Sequence, residues 1–415
     1  MSGFEKRTVY IHPMTYTGAR AFAAVLEGIG LPARVFPPSD ERTLELGGLY
    51  SSGEECYPLK ITLGDILKLF VDEGASPDEV AILMPSSNGP CRFGQYHHYM
   101  KHVLDSLGYE GVAFISPSCE DGYGSFSHYV REIQKPGWVA IVAADILRKL
   151  LLMTRPYERE EGSADALYEE CLDGLCRVLR EKSRSRTLMS SVKGELKKIK
   201  EKFAALETVS EEKPLIGIVG EIFCRLNRFS NDELIRKIES LGGECWQSDV
   251  AEWILYTDRE HQRVLRRMGR LISTDMFLSW FKYSTQKRLE EELYSVFSDV
   301  FRGREEPEDV THVLRLASPY LPQGGALGEM ILSVGKAVYY HEKGASGVVD
   351  ISPFTCMNGI VSEAIYQDLS ARLGGFPIRV FYFDESHRDV EYELEIFMDL
   401  ARNYRERTGR AEGKR

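Results

Sequence analysis

Pro214-Leu215-Ile216-Gly217-Ile218-Val219-Gly220 is an apolar run of strand length closed by glycine, and it reopens a pattern that Thr8-Val9-Tyr10-Ile11 starts near the other end of the sequence. A short, continuous apolar run bounded by turn residues reads as a strand buried on both faces. After Thr8 the pattern continues through a helix over 19–28, the strand Ala33-Arg34-Val35-Phe36, a strand over 79–84, a helix over 95–107 and a strand over 111–115. After Pro214 it repeats with a helix over 231–241 and strands near 243–246, 347–351 and 378–383. Strands alternating with helices at this spacing imply parallel sheets. The expected fold is therefore α/β, with two doubly wound, flavodoxin-like parallel-sheet domains carrying helical insertions.

These patterns divide the chain into a first α/β domain over 1–144, a helical segment and linker over 145–212, and a second α/β domain over 213–415. A helical insertion is expected at about 258–310, and the tail over 405–415 lacks apolar anchors and is expected to fray. The lysine-rich run Lys193-Gly194-Glu195-Leu196-Lys197-Lys198-Ile199-Lys200-Glu201-Lys202 interleaves Glu with Lys, as a solvated helix face does.

With 415 residues the chain can bury ample core, and its balance of apolar and charged residues is that of a globular protein. The formal charge of -11 argues against a nucleic-acid or anionic-membrane partner, which would reward clustered Lys and Arg. No apolar run approaches the roughly 20 residues of a membrane span. The start, Met-Ser-Gly-Phe-Glu-Lys-Arg, leads into a strand and not a signal-peptide core, so a cytoplasmic location is expected. Eight cysteines are too sparse for a disulfide scaffold, and in a reducing compartment grouped thiols mean metal or catalysis more often.

Three of those cysteines sit on turn-forming segments: Cys56 in Gly53-Glu54-Glu55-Cys56-Tyr57-Pro58, Cys91 in Asn88-Gly89-Pro90-Cys91-Arg92-Phe93-Gly94, and Cys356 in Ser352-Pro353-Phe354-Thr355-Cys356-Met357-Asn358-Gly359. Cys91 and Cys356 each follow an apolar strand, where doubly wound folds bind ligands, and loops of two facing domains can aim all three thiolates at the crevice between them. Soft sulfur donors suit iron or zinc, and three protein ligands on a four-iron cubane leave one iron open to substrate. The alternatives are buried cysteines acting as small hydrophobes, or zinc, which usually shows Cys-x-x-Cys pairs that this chain lacks. Cys119, also after a strand, is either a fourth ligand or an ordinary loop cysteine. Cys224 and Cys245 are expected in the interior of the second half, away from the thiol site, and Cys171 and Cys176 on a helix with no role in it.

Residues beside the cysteines admit two readings each. Arg92 stabilises an anionic cluster or pairs with a surface carboxylate. Glu54 and Glu55 supply a proton near the open iron, or favour a helix N-terminus through its dipole. His97, His98 and His102 share one helix; His98 and His102, four apart on one face, bind metal or, with no accompanying carboxylate motif, belong to a packed or exposed helix. Asn227 and Asn231 are expected to cap a helix starting near Asp232.

The segments Glu54-Glu55-Cys56-Tyr57-Pro58-Leu59-Lys60, Gly89-Pro90-Cys91-Arg92-Phe93-Gly94-Gln95-Tyr96 and Pro353-Phe354-Thr355-Cys356-Met357 resemble the cluster loops of the 2-hydroxyacyl-CoA dehydratase and benzoyl-CoA reductase superfamily. The resemblance is closest to its activase-related branch and its double-cubane-cluster proteins; Gly220-Glu221-Ile222-Phe223-Cys224-Arg225-Leu226-Asn227-Arg228-Phe229-Ser230-Asn231 and Glu252-Trp253-Ile254-Leu255-Tyr256 add to it. It implies an oxygen-sensitive, anaerobic reductase component that holds an iron–sulfur cluster through Cys56, Cys91 and Cys356. The cluster would be a four-iron 4Fe–4S cubane, or a double-cubane 8Fe–9S cluster shared across a homodimer. A separate activator ATPase with the actin-like fold would feed in low-potential electrons for a small-molecule substrate; the alternative is a non-catalytic electron-relay or scaffold subunit. ATP would bind the partner only. The nearest phosphate-loop lookalike here, Gly328 through Gly335-Lys336-Ala337, has the wrong Gly spacing and lacks the Ser or Thr that coordinates magnesium. No sequence feature marks a CoA pocket.

Overall fold

The computed structural model describes residues 3–87, 89–118, 124–324, 328–386 and 390–409. The first lobe runs β1 (Thr8–Ile11), α1 (Tyr16–Gly28), β2 (Ala33–Val35), α2 (Glu41–Leu49), α3 (Tyr57–Val71), β3 (Val80–Leu83), α4 (Tyr96–Ser106) and β4 (Ala113–Ile115). Three helices follow: α5 (Val130–Thr154), α6 (Ser163–Lys182) and α7 (Leu188–Ala204). The second lobe opens with β5 (Leu215–Gly220), α8 (Ile222–Leu226), α9 (Leu234–Ser240), β6 (Glu244–Gln247), α10 (Val250–Arg267) and α11 (Thr274–Tyr294). It closes with α12 (Val310–Ala317), α13 (Glu329–Glu342), β7 (Gly347–Pro353), α14 (Met357–Arg372), β8 (Ile378–Phe383) and α15 (Glu391–Thr408).

Among the described residues the strands form two four-stranded sheets of the same topology, β2-β1-β3-β4 and β6-β5-β7-β8. Every pairing is parallel, with Val9 opposite Ala33 and Ala81, and Ile216 opposite Cys245 and Gly347. The central strands β3 and β5 are buried along their whole length, which is why they read as unbroken apolar runs. Gly217 is required inside β5, because a Cβ there would lie 2.2 Å from the ring of Tyr340. No helix among the described residues is long and apolar enough to cross a membrane.

Helix α3 decides how the lobes meet. Most of its residues are buried, including the charged Lys60 and Asp65. Tyr57 and Ile61 pack into a core made by Phe223, Val349, Ile351 and Phe381 of the second lobe, while Leu59, Leu63 and Leu67 pack under the first sheet. Such burial of polar groups is tolerable only when they are paired: Lys60 pairs with Glu385 of the second lobe, and Asp65 accepts hydrogen bonds from Ser39 and Thr43, each at 3.0 Å.

Three expectations change. Helix α5 begins at Val130 and runs straight through residue 144, because Trp138, Val142 and Ile146 belong to one apolar core with α6 and the second lobe. Residues Arg405–Thr408 continue α15 instead of fraying, held by buried Tyr404 and by Arg405, which donates to the Glu212 carbonyl at 3.1 Å; residues 410–415 lie outside the described residues. Asn231 accepts from Leu234 N at 3.3 Å, but the helix it serves starts at Leu234, and Asn227 accepts from Ser230 N in the preceding turn.

The lysine-rich helix α7 buries Leu188, Val192, Leu196 and Ile199 and pairs its lysines outward, Lys202 with Glu170 at 2.6 Å and Lys193 with Glu292 at 3.2 Å. It is a solvated face.

Candidate functional site

Cys56, Cys91 and Cys356 have the same local structure. Each occupies the N-cap of a helical segment in extended conformation: Cys56 (φ -72°, ψ 150°) before α3, Cys91 (φ -70°, ψ 133°) before the 3₁₀ turn that leads into α4, and Cys356 (φ -67°, ψ 125°) before α14. None of the three sulfurs makes a cap hydrogen bond; Cys91 is exposed, Cys356 half-buried, and Cys56 half-buried against the Tyr96 hydroxyl. Strands β3 and β7 hold equivalent places in the two sheets, and Cys91 and Cys356 follow them in turn. The thiols thus come from matching loops of two matching lobes, plus the leading end of the helix wedged between them.

Backbone geometry fixes these positions. Thr355 adopts φ +64°, the left-handed region that costs a β-branched residue strain. It is held there by the turn bond from Cys356 N to Pro353 O at 3.0 Å and by Phe354 N donating to Phe383 O at 2.8 Å. Gly220, at φ +117°, ends β5 where a Cβ would lie 2.1 Å from Ile351 O, and turns the chain so that Glu221 follows directly.

The floor of the site is acidic. Glu221 keeps some contact with solvent, yet burial, and then the nearby charge of Glu329, push its carboxyl up to about 7. Its two oxygens accept from Phe223 N at 3.1 Å and Cys224 N at 2.8 Å, so it also caps α8. Glu329, at the start of α13, is raised by burial as well, and accepts from Asn358 Nδ2 at 2.6 Å. Two like charges this close cannot both ionise freely, and the pair is a place for a proton.

Glu221 acts on all three thiols, and Glu329 on Cys91 and Cys356. Burial, and then Glu221 and Glu329 among the charges, hold the Cys356 thiol well above its usual range. Cys91 reaches solvent on one side, although enough atoms crowd it for burial to push the thiol up to about 11, with Glu329, Glu221 and Cys56 adding to the shift. Cys56 is raised chiefly by burial and then by Glu221, against a hydrogen bond shared with the Tyr96 hydroxyl and the more distant charge of Arg92. The thiols therefore share one electrostatic neighbourhood, but among the described residues no group of three or more His, Cys, Asp or Glu side chains stands ready to hold a metal ion.

The other candidates resolve as follows. Arg92 donates to the backbone carbonyl of Glu54 and so ties the Cys91 loop to the Cys56 loop, in place of the carboxylate partner weighed from sequence. Glu55 folds back on its own loop, accepting from Ser52 N at 2.8 Å and Gly53 N at 3.1 Å. Those bonds, with the Ser52 hydroxyl, outweigh burial and lower its pKa, which makes it an ionised loop cap and a poor proton donor. Glu54 is exposed. His97 and His98 lie ring against ring, their centroids 3.8 Å apart, while His102 is exposed. Cys119 lies outside the described residues.

Cys245 is buried in β6 as expected. Cys224 is a correction: it is buried, but on α8 directly behind the site, close enough for Cys356 and Cys56 to raise its thiol after burial and Glu221. Lys336 of the phosphate-loop lookalike lies inside α13, buried and paired with Glu306 at 2.8 Å and Glu252 at 3.1 Å.

Tyr96, Glu221, Glu329 and Asn358 were not singled out from the sequence. A signal existed for Glu221, which follows a central strand as Cys91 and Cys356 do. Glu329 lies far along the chain in a helix that nothing local connects to the thiols. The small cavities of the second lobe lie elsewhere, one lined by Lys149, Trp246 and Arg304 and the other by Asp249, Glu252 and Glu306.

The chain matches no family model and no curated protein sequence.

Proposed function

We propose that this protein is the iron–sulfur component of a low-potential reductase, accepting ATP-driven electrons from a separate actin-like ATPase and passing them to a small substrate in the crevice between its lobes. The observation that carries the reading is the shared design of Cys56, Cys91 and Cys356: three thiols, free of cap hydrogen bonds, at helix starts drawn from both lobes. Such a donor set fits an iron–sulfur cluster, which takes thiolates by preference. These three residues would hold it, and when bound it would supply one-electron transfer at low potential.

The chain's own residues prepare the place. The aligned amides of the helix starts act against the burial and acidic charge that raise the thiols, and a bound cluster would complete that stabilisation of thiolate. Tyr96 orients Cys56, Arg92 joins two of the cysteine loops, and the Glu221 and Glu329 pair holds a proton beside the thiols. A reduction takes up protons with its electrons. The loop resemblance to the 2-hydroxyacyl-CoA dehydratase and benzoyl-CoA reductase superfamily supports the same chemistry.

Anaerobic reconstitution tests it. The expected result is about four or more irons per chain with matching acid-labile sulfide, lost in Cys56→Ser, Cys91→Ser and Cys356→Ser but kept in Cys171→Ser. The chain alone should not turn over ATP. Zinc without sulfide, or full iron in Cys356→Ser, overturns the proposal.

A further inference from the structure

The hairpin of α10 and α11 ends in a surface that the other described residues leave bare. Val264 and its neighbour four residues on, Met268, close α10, Leu271 follows in the turn, and Phe277, Trp280 and Phe281 stand at positions i, i+3 and i+4 of the returning helix; all six are exposed. Ile272, in the turn between them, is 103% exposed. Apolar positions spaced in this way form a stripe along one side of a helix. The two helices are held together by Lys282 and Asp258 at 2.7 Å, and α11 buries side chains against the body only from Tyr283 onward.

Most charges around this face are matched within the hairpin and its neighbour, Arg266 being the exposed exception. Arg263 pairs with Glu260 at 2.7 Å and Arg270 with Asp275 at 2.8 Å, while Arg267 donates to Gly324 O at 2.9 Å. Phosphate-rich partners, whether lipid or nucleic acid, reward clustered free cations, and these cations are engaged. Apart from Arg266, what remains outward is apolar and carries little repulsion against its own image.

We infer that this face is where two copies of the chain meet, the two hairpins packing as four helices about a two-fold axis. An isologous contact places the same patch on both sides, and a purely apolar stripe is self-complementary in that arrangement. Large apolar side chains offer on the order of 150–250 Å² each. The bare side chains of one hairpin tip therefore present roughly 800–1,000 Å², close to the ~800 Å² per partner of a stable interface. Helix pairs packing in this way bury their stripes as a four-helix bundle does. The inference rests on this surface alone and does not need the cluster.

Sedimentation velocity on the full-length chain tests it, at micromolar concentration and after about a hundredfold dilution. The expected result is a dimer that dissociates on dilution, with a red shift in Trp280 emission, since Trp138 and Trp246 are buried and Trp253 is half-buried against the core within each chain. Phe277→Ser combined with Phe281→Ser should give a monomer with an unchanged circular-dichroism melt. Should that variant fold poorly, Ile272→Glu at a fully exposed position should also give a monomer, through like charges across the axis. Cys356→Ser should remain dimeric. A wild-type monomer at micromolar concentration overturns the inference, as does a monomer that sediments with phosphatidylserine vesicles. So does a dimer that survives the double substitution but is lost in Cys356→Ser, which would put the contact at the thiols.

Discussion

Asn227, at the end of the short helix α8 that follows β5, donates through Nδ2 to the carbonyl of Pro13, just past the carboxyl end of β1, at 3.3 Å. Both residues follow strands at the carboxyl ends of their sheets, and this buried bond joins those ends of the two lobes directly. The Asn227 carbonyl oxygen of the side chain accepts from Ser230 N at 2.9 Å, so the amide is used on both sides. Asn227→Ala should cost about 1–3 kcal/mol, the range for leaving buried polar partners unpaired. Urea denaturation checks this, and an unchanged midpoint would show that the lobes do not depend on the bond.

Thr355 holds a strained backbone immediately before Cys356. Strain of this type costs about 1–3 kcal/mol, whereas introducing glycine costs about 0.4–1 kcal/mol through the unfolded chain. Thr355→Gly should therefore leave the protein as stable or make it more so, unlike most substitutions. A clear fall in melting temperature would mean that the threonine side chain contributes more than its backbone costs.

Lys336 is enclosed between Glu306 and Glu252, and its ammonium also faces the rings of Tyr339 and Tyr340 at 5.4 and 5.0 Å. Removing one partner of a buried ion cluster leaves the others desolvated without compensation. Lys336→Met should destabilise by about 3–5 kcal/mol, and adding Glu252→Gln should recover part of that loss. Chemical denaturation of the single and double variants measures both steps.

Asp309 supports the N-terminus of α12, accepting from Thr311 N at 2.8 Å, from the Tyr283 hydroxyl at 2.6 Å and from Arg259 at 2.9 Å. Burial alone would raise its pKa, but these bonds outweigh burial and lower it to about 2. An unfolded aspartate titrates near 3.9. A group lowered on folding stabilises the native state fully above its unfolded pKa and loses that contribution as pH falls through the folded one. Wild type should therefore lose more stability than Asp309→Asn between about pH 4 and pH 2. Parallel melts across that window would rule out the contribution.

The strands were readable because a central parallel strand buries both faces and leaves an unbroken apolar run such as that over 215–220, which needs no knowledge of its neighbours. The thiol loops were readable because Gly and Pro beside cysteine mark turns. Less readable was the start of α5: the 3₁₀ turn over 124–129 and Pro136 break the helical pattern, while the burial that sustains the helix from Val130 comes from α1, α6 and the second lobe. Glu55 looked like an acid near the site because it adjoins Cys56, yet adjacency along the chain says nothing of direction, and its carboxylate turns back to Ser52.

Taken by itself, the sequence determined two parallel α/β lobes and three cysteines on their loops, since strand burial and turn formation depend on residues close together in the chain. Only the tertiary structure decided that α3 is wedged between the lobes, that Glu221 and Glu329 lie together beneath thiols hundreds of residues apart, and that the α10–α11 tip is bare. Those facts depend on which distant surfaces come into contact. Desolvation and charge coupling act through space, so the proton affinity of Glu221 is raised by its burial and then by Glu329, a residue 108 positions along the chain.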